Sequence, residues 1–411
     1  MSDKRLSVLF LAQYFYPEVP ATAQLSTDLA LGLTEHGFSV TVYTGQPSYW
    51  RGQRLPSSEG YKGVDIHRSY SRRLSREGTS TRLFNGAIVA LVTFFKLLSR
   101  KKYDVTIVDS TSPFLVVVAL LLWRVRRIPY VFWVQDVYPE IAIELGVIKN
   151  NSLVHRLWAA AYSQVYRDAA RIVVLGTAMR DVVRRSLRPS DFDNCVEIPN
   201  WAHGDDVVPR APADNPMRRE LGLEDKLVVL YSGNMGLVHD LETVMDAIER
   251  LHRLKDVRFL LIGDGGKRDW IEETIAANDL KNVIVLPYQP EERLPLSLTC
   301  GDLSLVTLRK GMEGLSVPSK IYSSLAAGLG ILAVVGKNSE IAEIVERNGC
   351  GVRVSQGDVD ALVEAIETLH ADRELLHDMK RKSRIAFERD FTRTKSVESY
   401  MTLLRAVVNR G

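Results

Sequence analysis

The chain has 411 residues, 46% hydrophobic and 25% charged, with a formal net charge of +3. This is ordinary globular usage, sufficient for two or three domains with real cores, and it excludes disordered and fibrous classes. Three scattered cysteines, Cys195, Cys300 and Cys350, exclude a disulfide frame and a Cys-x-x-Cys zinc site, and they point to a reducing compartment.

Met1-Ser-Asp-Lys-Arg5 leads into a short strand near Leu6–Ala12, so no signal peptide is expected. A helix follows with Leu25, Leu29 and Leu33 on one face and Gly37 as its stop. Further strands are predicted near Val40–Thr44, Asp104–Asp109, Tyr130–Val134 and Ile172–Leu175. The polar, proline-bearing stretch from Ala202 to Pro216 reads as a linker. Beyond it come strands near Lys226–Tyr231, Val257–Ile262, Val283–Leu286, Leu303–Val306 and Ile331–Val334, and helices from Asp358 onward. Strands alternating with helices predict α/β domains with parallel sheets. The expected division is 1–203, 217–390 and a last segment, 391–411, that packs back toward the N-terminal domain.

Charge is uneven along this chain. Up to Asp205 there are 25 Lys/Arg against 18 Asp/Glu, and beyond it 28 against 32. The window Ile66–Lys102 holds Arg68, Arg72, Arg73, Arg76, Arg82, Lys96, Arg100, Lys101 and Lys102 against Glu77 alone, which fits an anionic surface. Inside it lies the apolar run Leu83–Phe95, and a second apolar run is Phe114–Trp123. Both are shorter than the ~20 residues a spanning helix needs. The first, bracketed by basic residues, is expected to touch lipid, and the second to be buried against a sheet.

The richest stretch is Glu313-Gly-Leu-Ser-Val-Pro-Ser-Lys320. Pro318 suits a first helical turn, which sets Ser319 and Lys320 at a helix N-terminus, a site for a diphosphate. Upstream, Gly233-Asn-Met-Gly236 follows an apolar strand and precedes a helical pattern from about Asp240, a second candidate phosphate cradle. Between them, Phe259-Leu-Leu-Ile-Gly-Asp-Gly265 is another strand ending in glycines, with Gly263 at its end.

These three elements, in this order, resemble the nucleotide-sugar half of a GT-B glycosyltransferase. More narrowly, they resemble retaining glycosyltransferase family 4, in the subgroup that builds bacterial surface polysaccharides of the colanic acid and O-antigen type. Phe10-Leu-Ala-Gln-Tyr-Phe-Tyr-Pro-Glu18, Gly32-Leu-Thr-Glu-His-Gly37, Val40-Thr-Val-Tyr-Thr44 and Trp133-Val-Gln-Asp-Val-Tyr-Pro-Glu140 match that subgroup's N-terminal half. The resemblance implies two Rossmann-like domains facing across a cleft, with a nucleotide-sugar donor, expected to be a UDP-sugar, on the C-terminal half. It implies a lipid-linked (polyprenyl-diphosphate) or polysaccharide acceptor on the N-terminal half, at the cytoplasmic face of a membrane. Neither a metal nor any other cofactor is expected, nor nucleic acid as a partner.

On that reading Lys320 neutralises the leaving diphosphate, helped by Arg309 or, in its place, Lys310. Gly233, Asn234 and Gly236 supply backbone donors and room, with His239 and Gly263 beside them. The family's pair of glutamates, eight positions apart, falls on Leu315 and Ser323 here, so Glu313 is expected to replace the first and Ser323 to reach the ribose weakly or not at all. Many relatives carry a lysine where this chain has His239. On the acceptor side Asp136 or Glu140 orients or deprotonates the acceptor, unless Asp136 only caps the following turn. Tyr14, Tyr16 and Glu18 line the same edge. Asp191-Phe-Asp193 has a metal-binding spacing but reads as a loop. A nucleotide-sugar 2-epimerase of the same fold, or a catalytically degenerate membrane-bound scaffold, is the alternative.

Overall fold

The computed structural model describes residues 5–18, 20–46, 55–69, 79–99 and 103–409, with 79–85 as backbone only. The chain divides into two compact units, Met1–Pro199 with Arg393–Gly411, and Asn200–Thr392.

The first unit is built on β1 (Ser7–Leu11), β2 (Ser39–Thr44), β3 (Ser58–Tyr61), β4 (Val64–Arg68), β5 (Val105–Asp109), β6 (Tyr130–Trp133), β7 (Arg171–Val174) and β8 (Cys195–Glu197). Their order across the sheet is β3-β4-β2-β1-β5-β6-β7-β8, and β3–β4 is its antiparallel pair. The second unit holds β9 (Leu227–Ser232), β10 (Val257–Ile262), β11 (Val283–Leu286), β12 (Leu303–Thr307), β13 (Gly330–Val334) and β14 (Gly351–Val354). Their order is β11-β10-β9-β12-β13-β14, all parallel. The central strands are apolar throughout because helices cover both faces of a parallel sheet. Strand order reverses between β1 and β5 in one sheet and between β9 and β12 in the other. Those two switch points are where such sheets bind ligands, beyond the strands' C-terminal ends.

The β3–β4 hairpin has no counterpart in the predicted elements. Ser58-Glu-Gly-Tyr61 carries little apolar signal, and the turn is made by Lys62 and Gly63, both at positive φ (47° and 86°). The hairpin corrects the reading of the basic window. Arg68 is not a surface cation; it is 2% exposed, pairs with Glu59 at 2.6 Å and donates to the Tyr16 carbonyl at 2.8 Å. Arg72, Arg73, Arg76, Arg100, Lys101 and Lys102 lie outside the described residues, as does the side chain of Arg82.

The run Leu83–Phe95 belongs to the helix Thr79–Leu98. Val89, Ala90, Thr93 and Leu97 are buried, while Ile88, Leu91 and Phe95 project outward at helical spacing, Leu91 58% and Phe95 61% exposed. The helix Pro113–Arg126, capped by Ser112, buries Leu115, Val116, Val118, Ala119, Leu120 and Leu122 but leaves Leu121 and Val125 outward. No helix among the described residues is long and apolar enough to cross a membrane. The last helix, Arg393–Asn409, packs within the first unit through Tyr400 against Trp133 (ring centroids 5.6 Å apart) and Arg393 on Glu35 (3.0 and 3.1 Å).

The N-terminal edge of the second sheet is held by charge. Arg218, 1% exposed, donates to Asp302 at 2.6 Å and to the Cys300 carbonyl at 2.9 Å. Asp302 also accepts from Lys380 (3.0 Å) and the Val228 N–H (3.0 Å).

Candidate active site

At the switch point of the second sheet, two glycine turns interlock. Gly233 and Gly263 sit at φ 136° and 150°, and a Cβ built on Gly263 would lie 1.9 Å from the Gly233 carbonyl oxygen, so only glycine fits there. The Gly233 N–H donates to Ile262 (2.9 Å) and the Met235 N–H to Asp264 (2.8 Å). This corrects the expected role of Gly233: it gives room, and its N–H is already used. The helix after the turn starts only at Glu242, nine residues on, and Asp240 accepts the Thr243 N–H and hydroxyl at its start. That helix end is therefore capped by its own carboxylate and does not extend the cradle. Asn234 stays on the turn, where its carbonyl accepts the Tyr231 hydroxyl at 2.6 Å, and Gly236 accepts from the His239 N–H at 3.2 Å.

Lys320 reaches over this turn. Its ammonium lies 3.4 Å from the centroid of the buried Tyr231 ring, and a Cβ on Gly233 would sit 3.7 Å from it. The stem is partly exposed, but the ammonium nitrogen is buried and has no hydrogen-bond partner among the described residues. Burial holds its pKa well below the ordinary lysine value. A desolvated cation–π contact contributes about 2 kcal/mol, less than the several kcal/mol that burying an ammonium costs. His239 shares this environment. It stands edge-on to Tyr231 with ring centroids 6.1 Å apart, and its Nδ1 lies 2.7 Å from the Thr307 carbonyl. Burial first, then the nearby Lys320, push its pKa down to about 3, against the Thr307 carbonyl.

The loop after β12 differs from its expected form. The helix spans only Lys320–Ala326, with Ser319 as its N-cap and no side-chain capping bond, so Pro318 precedes the helix. Seven residues make a weak dipole, which leaves the lysine charge as the main attraction. Glu313 does not reach out toward a sugar: it accepts from the Gly311 N–H (2.8 Å) and Gln356 Nε2 (2.8 Å) and packs against Gly336. It acts as a clamp on its own loop. Leu315 is buried, and the Ser323 hydroxyl donates back to the Lys320 carbonyl at 3.1 Å. Arg309 and Lys310 are exposed, and the Arg309 N–H donates to the Val238 carbonyl at 2.8 Å.

In the first unit, Asp136 and Glu140 follow β6. The Ser110 hydroxyl accepts the N–H groups of Gln135 and Asp136, both at 3.0 Å, and so ties this turn to the end of β5. That end is Asp109, a buried carboxyl that the sequence reading missed. Thr111 donates to it through both its N–H (2.9 Å) and its hydroxyl. Burial pushes Asp109 up to about 6, with Thr111 opposing and Asp136 adding to the rise. Burial also raises Glu140, whose Oε2 has no partner among the described residues, against its own N–H and His155. This edge holds two carboxyls, Asp109 and Glu140, that burial raises above their ordinary values, which suits proton transfer. Adjacency of two parallel strand ends was the signal that could have found Asp109.

The three aromatic-edge candidates diverge. Tyr14 stays near this edge: burial first, then Asp136 and Tyr14, raise the Tyr138 phenol. Tyr16 stacks on Tyr61 of the hairpin at 3.8 Å, and Glu18 is buried. In the Asp191–Asp193 stretch, Asp191 is ion-paired with Arg188 (2.7 Å) inside the 3-10 turn Pro189–Asn194.

Two doubly wound parallel-sheet units, one with a lysine poised over a glycine turn at its switch point, define the GT-B class of glycosyltransferase. The chain belongs to the glycosyltransferase family: residues 214–386 match the model for glycosyl transferases group 1, and residues 22–201 match the glycosyl transferase 4-like domain. It is 32% identical over 275 residues to WbjE of Pseudomonas aeruginosa, designated a glycosyltransferase, covering 67% of this chain and 68% of that one. It is 25% identical over 375 residues to WcaI of Escherichia coli (strain K12), designated a colanic acid biosynthesis glycosyl transferase, covering 88% and 91%. Among solved structures it shares its fold with sucrose-phosphate synthase from Thermosynechococcus elongatus (TM-score 0.81, 14% identity, 99% and 100% covered). Another is Anabaena HepE in complex with UDP-glucose (TM-score 0.71, 15% identity, 98% and 100% covered).

Proposed function

We propose that this protein transfers a sugar from a nucleoside-diphosphate donor, a UDP-sugar, to a lipid-linked or polysaccharide acceptor, with retention, in building a cell-surface polysaccharide. The observation that carries the reading is Lys320: a buried Nζ with no acceptor among the described residues, set over a glycine turn. A diphosphate supplies the missing acceptor oxygens, and the ammonium stabilises the charge that develops as the sugar leaves. The designation of WcaI and the UDP-glucose bound to HepE support the choice of pathway and nucleotide. The Asp109–Asp136–Glu140 edge receives the acceptor, with Asp136 or Glu140 orienting its hydroxyl. The family and the relatives above are glycosyltransferases, which favours transfer over epimerisation.

The test is a panel of UDP-sugars incubated with the protein and an extracted lipid-linked acceptor. Acceptor-dependent UDP release is expected, and EDTA should leave it nearly unchanged because lysine does the neutralising. An epimerised UDP-sugar appearing without acceptor would overturn transfer. Loss of activity in EDTA, restored by Mn²⁺, would overturn the metal-free reading.

The acceptor class implies work at a membrane, on its cytoplasmic face. Ile88, Leu91 and Phe95 form the outward apolar stripe for it, and the exposed Lys96 adds charge beside it. Binding to anionic liposomes is expected to weaken in high salt without vanishing, since each basic residue near the surface contributes about 1 kcal/mol and is screened. Leu91→Ser with Phe95→Ser should remove the salt-resistant part, and Arg72, Arg73 and Arg76 to Ser the salt-sensitive part. Indifference of the wild type to anionic liposomes at low salt would sink the membrane reading.

A further inference from the structure

We infer that a nucleoside diphosphate enters the Tyr231–His239–Lys320 site together with protons, and that His239 and Lys320 are the groups that take them up. The inference rests on the reading of this edge as the donor site.

The geometry sets two potential cations near one another with no counter-ion among the described residues. The Lys320 Nζ lies over the Tyr231 face and has no hydrogen-bond partner among the described residues. The Thr307 carbonyl can only accept, so His239 Nδ1 carries the hydrogen of that 2.7 Å bond. In the neutral ring Nε2 then carries a lone pair, which is the wrong polarity for a phosphate oxygen. The surrounding groups do not supply negative charge. Lys267 donates to the His239 carbonyl (2.7 Å) and to both oxygens of Glu242 (2.8 and 2.7 Å), so Glu242 is already matched. Asp240 faces Thr243, and the Tyr231 hydroxyl donates to Asn234. From β12 comes the Thr307 carbonyl, which is uncharged. Beyond β11, Tyr288 is a phenol. Burial therefore holds both groups toward their neutral forms, and for His239 the nearby Lys320 and Lys267 add to it.

A diphosphate offsets these effects. It brings negative charge and oxygens that only accept. Nε2 gains a proton from solvent and donates to a phosphate oxygen; the Lys320 amine gains one likewise and, as an ammonium, donates to another. No covalent bond changes. Binding then takes up protons, so the sign follows: raising the pH weakens binding, by about tenfold per pH unit for each proton linked.

The experiment is calorimetric titration of the full-length protein with UDP at pH 8, in phosphate and in Tris, whose ionisation heats differ. UDP is almost fully ionised there, since a terminal phosphate has its second pKa at about 6, so protons gained belong to the protein. The expected result is net uptake of about one proton or more and affinity that falls as pH rises. His239→Asn keeps a donor for Thr307 but cannot charge, and should lower the uptake. Lys320→Met breaks no hydrogen bond and should lower it independently, which keeps the test open if the histidine variant does not fold. Equal heats in both buffers with UDP bound would overturn the inference and leave the donor-site reading standing. Undiminished uptake in both variants would overturn it as well. Failure of UDP to bind at all would overturn the donor-site reading itself, and this inference with it.

Discussion

Lys320→Ala is expected to lower sugar transfer by roughly two to three powers of ten, the usual scale for removing one preorganised charge from a transition state. The melting temperature should stay unchanged or rise. The Lys320 Nζ is buried with no hydrogen-bond partner among the described residues, so the folded protein carries the cost of desolvating it with no matching bond. Removing it relieves that cost, and the loss falls on function alone, the usual trade at a site kept strained for its ligand. Lys320→Met is the stricter variant because it keeps an apolar stem against Tyr231. Turnover near wild type in either folded variant would remove Lys320 from the mechanism and, with it, the main support for a diphosphate at this turn.

Asp302→Ala is expected to produce the largest loss of stability. Asp302 is the shared partner of Arg218, Lys380 and the Val228 N–H, and Arg218 is 1% exposed. Deleting the carboxylate leaves a guanidinium buried without its counter-charge, which costs about 3–5 kcal/mol. For a unit of this size that corresponds to a fall in Tm of roughly 6–20 °C. Burial alone would raise the Asp302 pKa, but Lys380 and Arg218 outweigh it and hold it below the ordinary value. Its contribution is therefore complete above the unfolded carboxylate's pKa and is lost as the pH falls toward the folded one. A fall in Tm of only a degree or two in thermal melting would show the cluster to be dispensable. Nucleotide binding is a second readout: the cluster lies at the opposite end of the strands from Lys320, so UDP affinity should survive wherever the variant stays folded.

Much of the fold was legible along the chain. Apolar runs such as Leu227-Val-Val-Leu-Tyr231 and Phe259-Leu-Leu-Ile262, each closed by glycine and followed by a helical pattern, can hardly be anything but parallel strands covered on both faces. The glycine turns were legible for the same reason, since positive φ leaves a mark in residue type. Lys320 stood out because a lysine after Pro318-Ser319 is a local pattern. The β3–β4 hairpin escaped because its first strand is polar and four residues long.

Side-chain partnerships were of another kind. Arg68 looked like part of a basic surface and turned out to be buried on Glu59. Glu313 looked like a ligand and is clamped by Gln356, 43 residues on. Asp109 drew no notice until β5 and β6 lay side by side and Ser110 tied their ends together. Local sequence sets backbone periodicity and turn chemistry, because those depend on a residue and its near neighbours. Which charges are buried, which are paired and which are left without a partner depends on groups that meet only when distant strands pack. Lys320 belongs to both accounts: its position follows from the chain, and its unpartnered burial over Tyr231 exists only in the folded sheet.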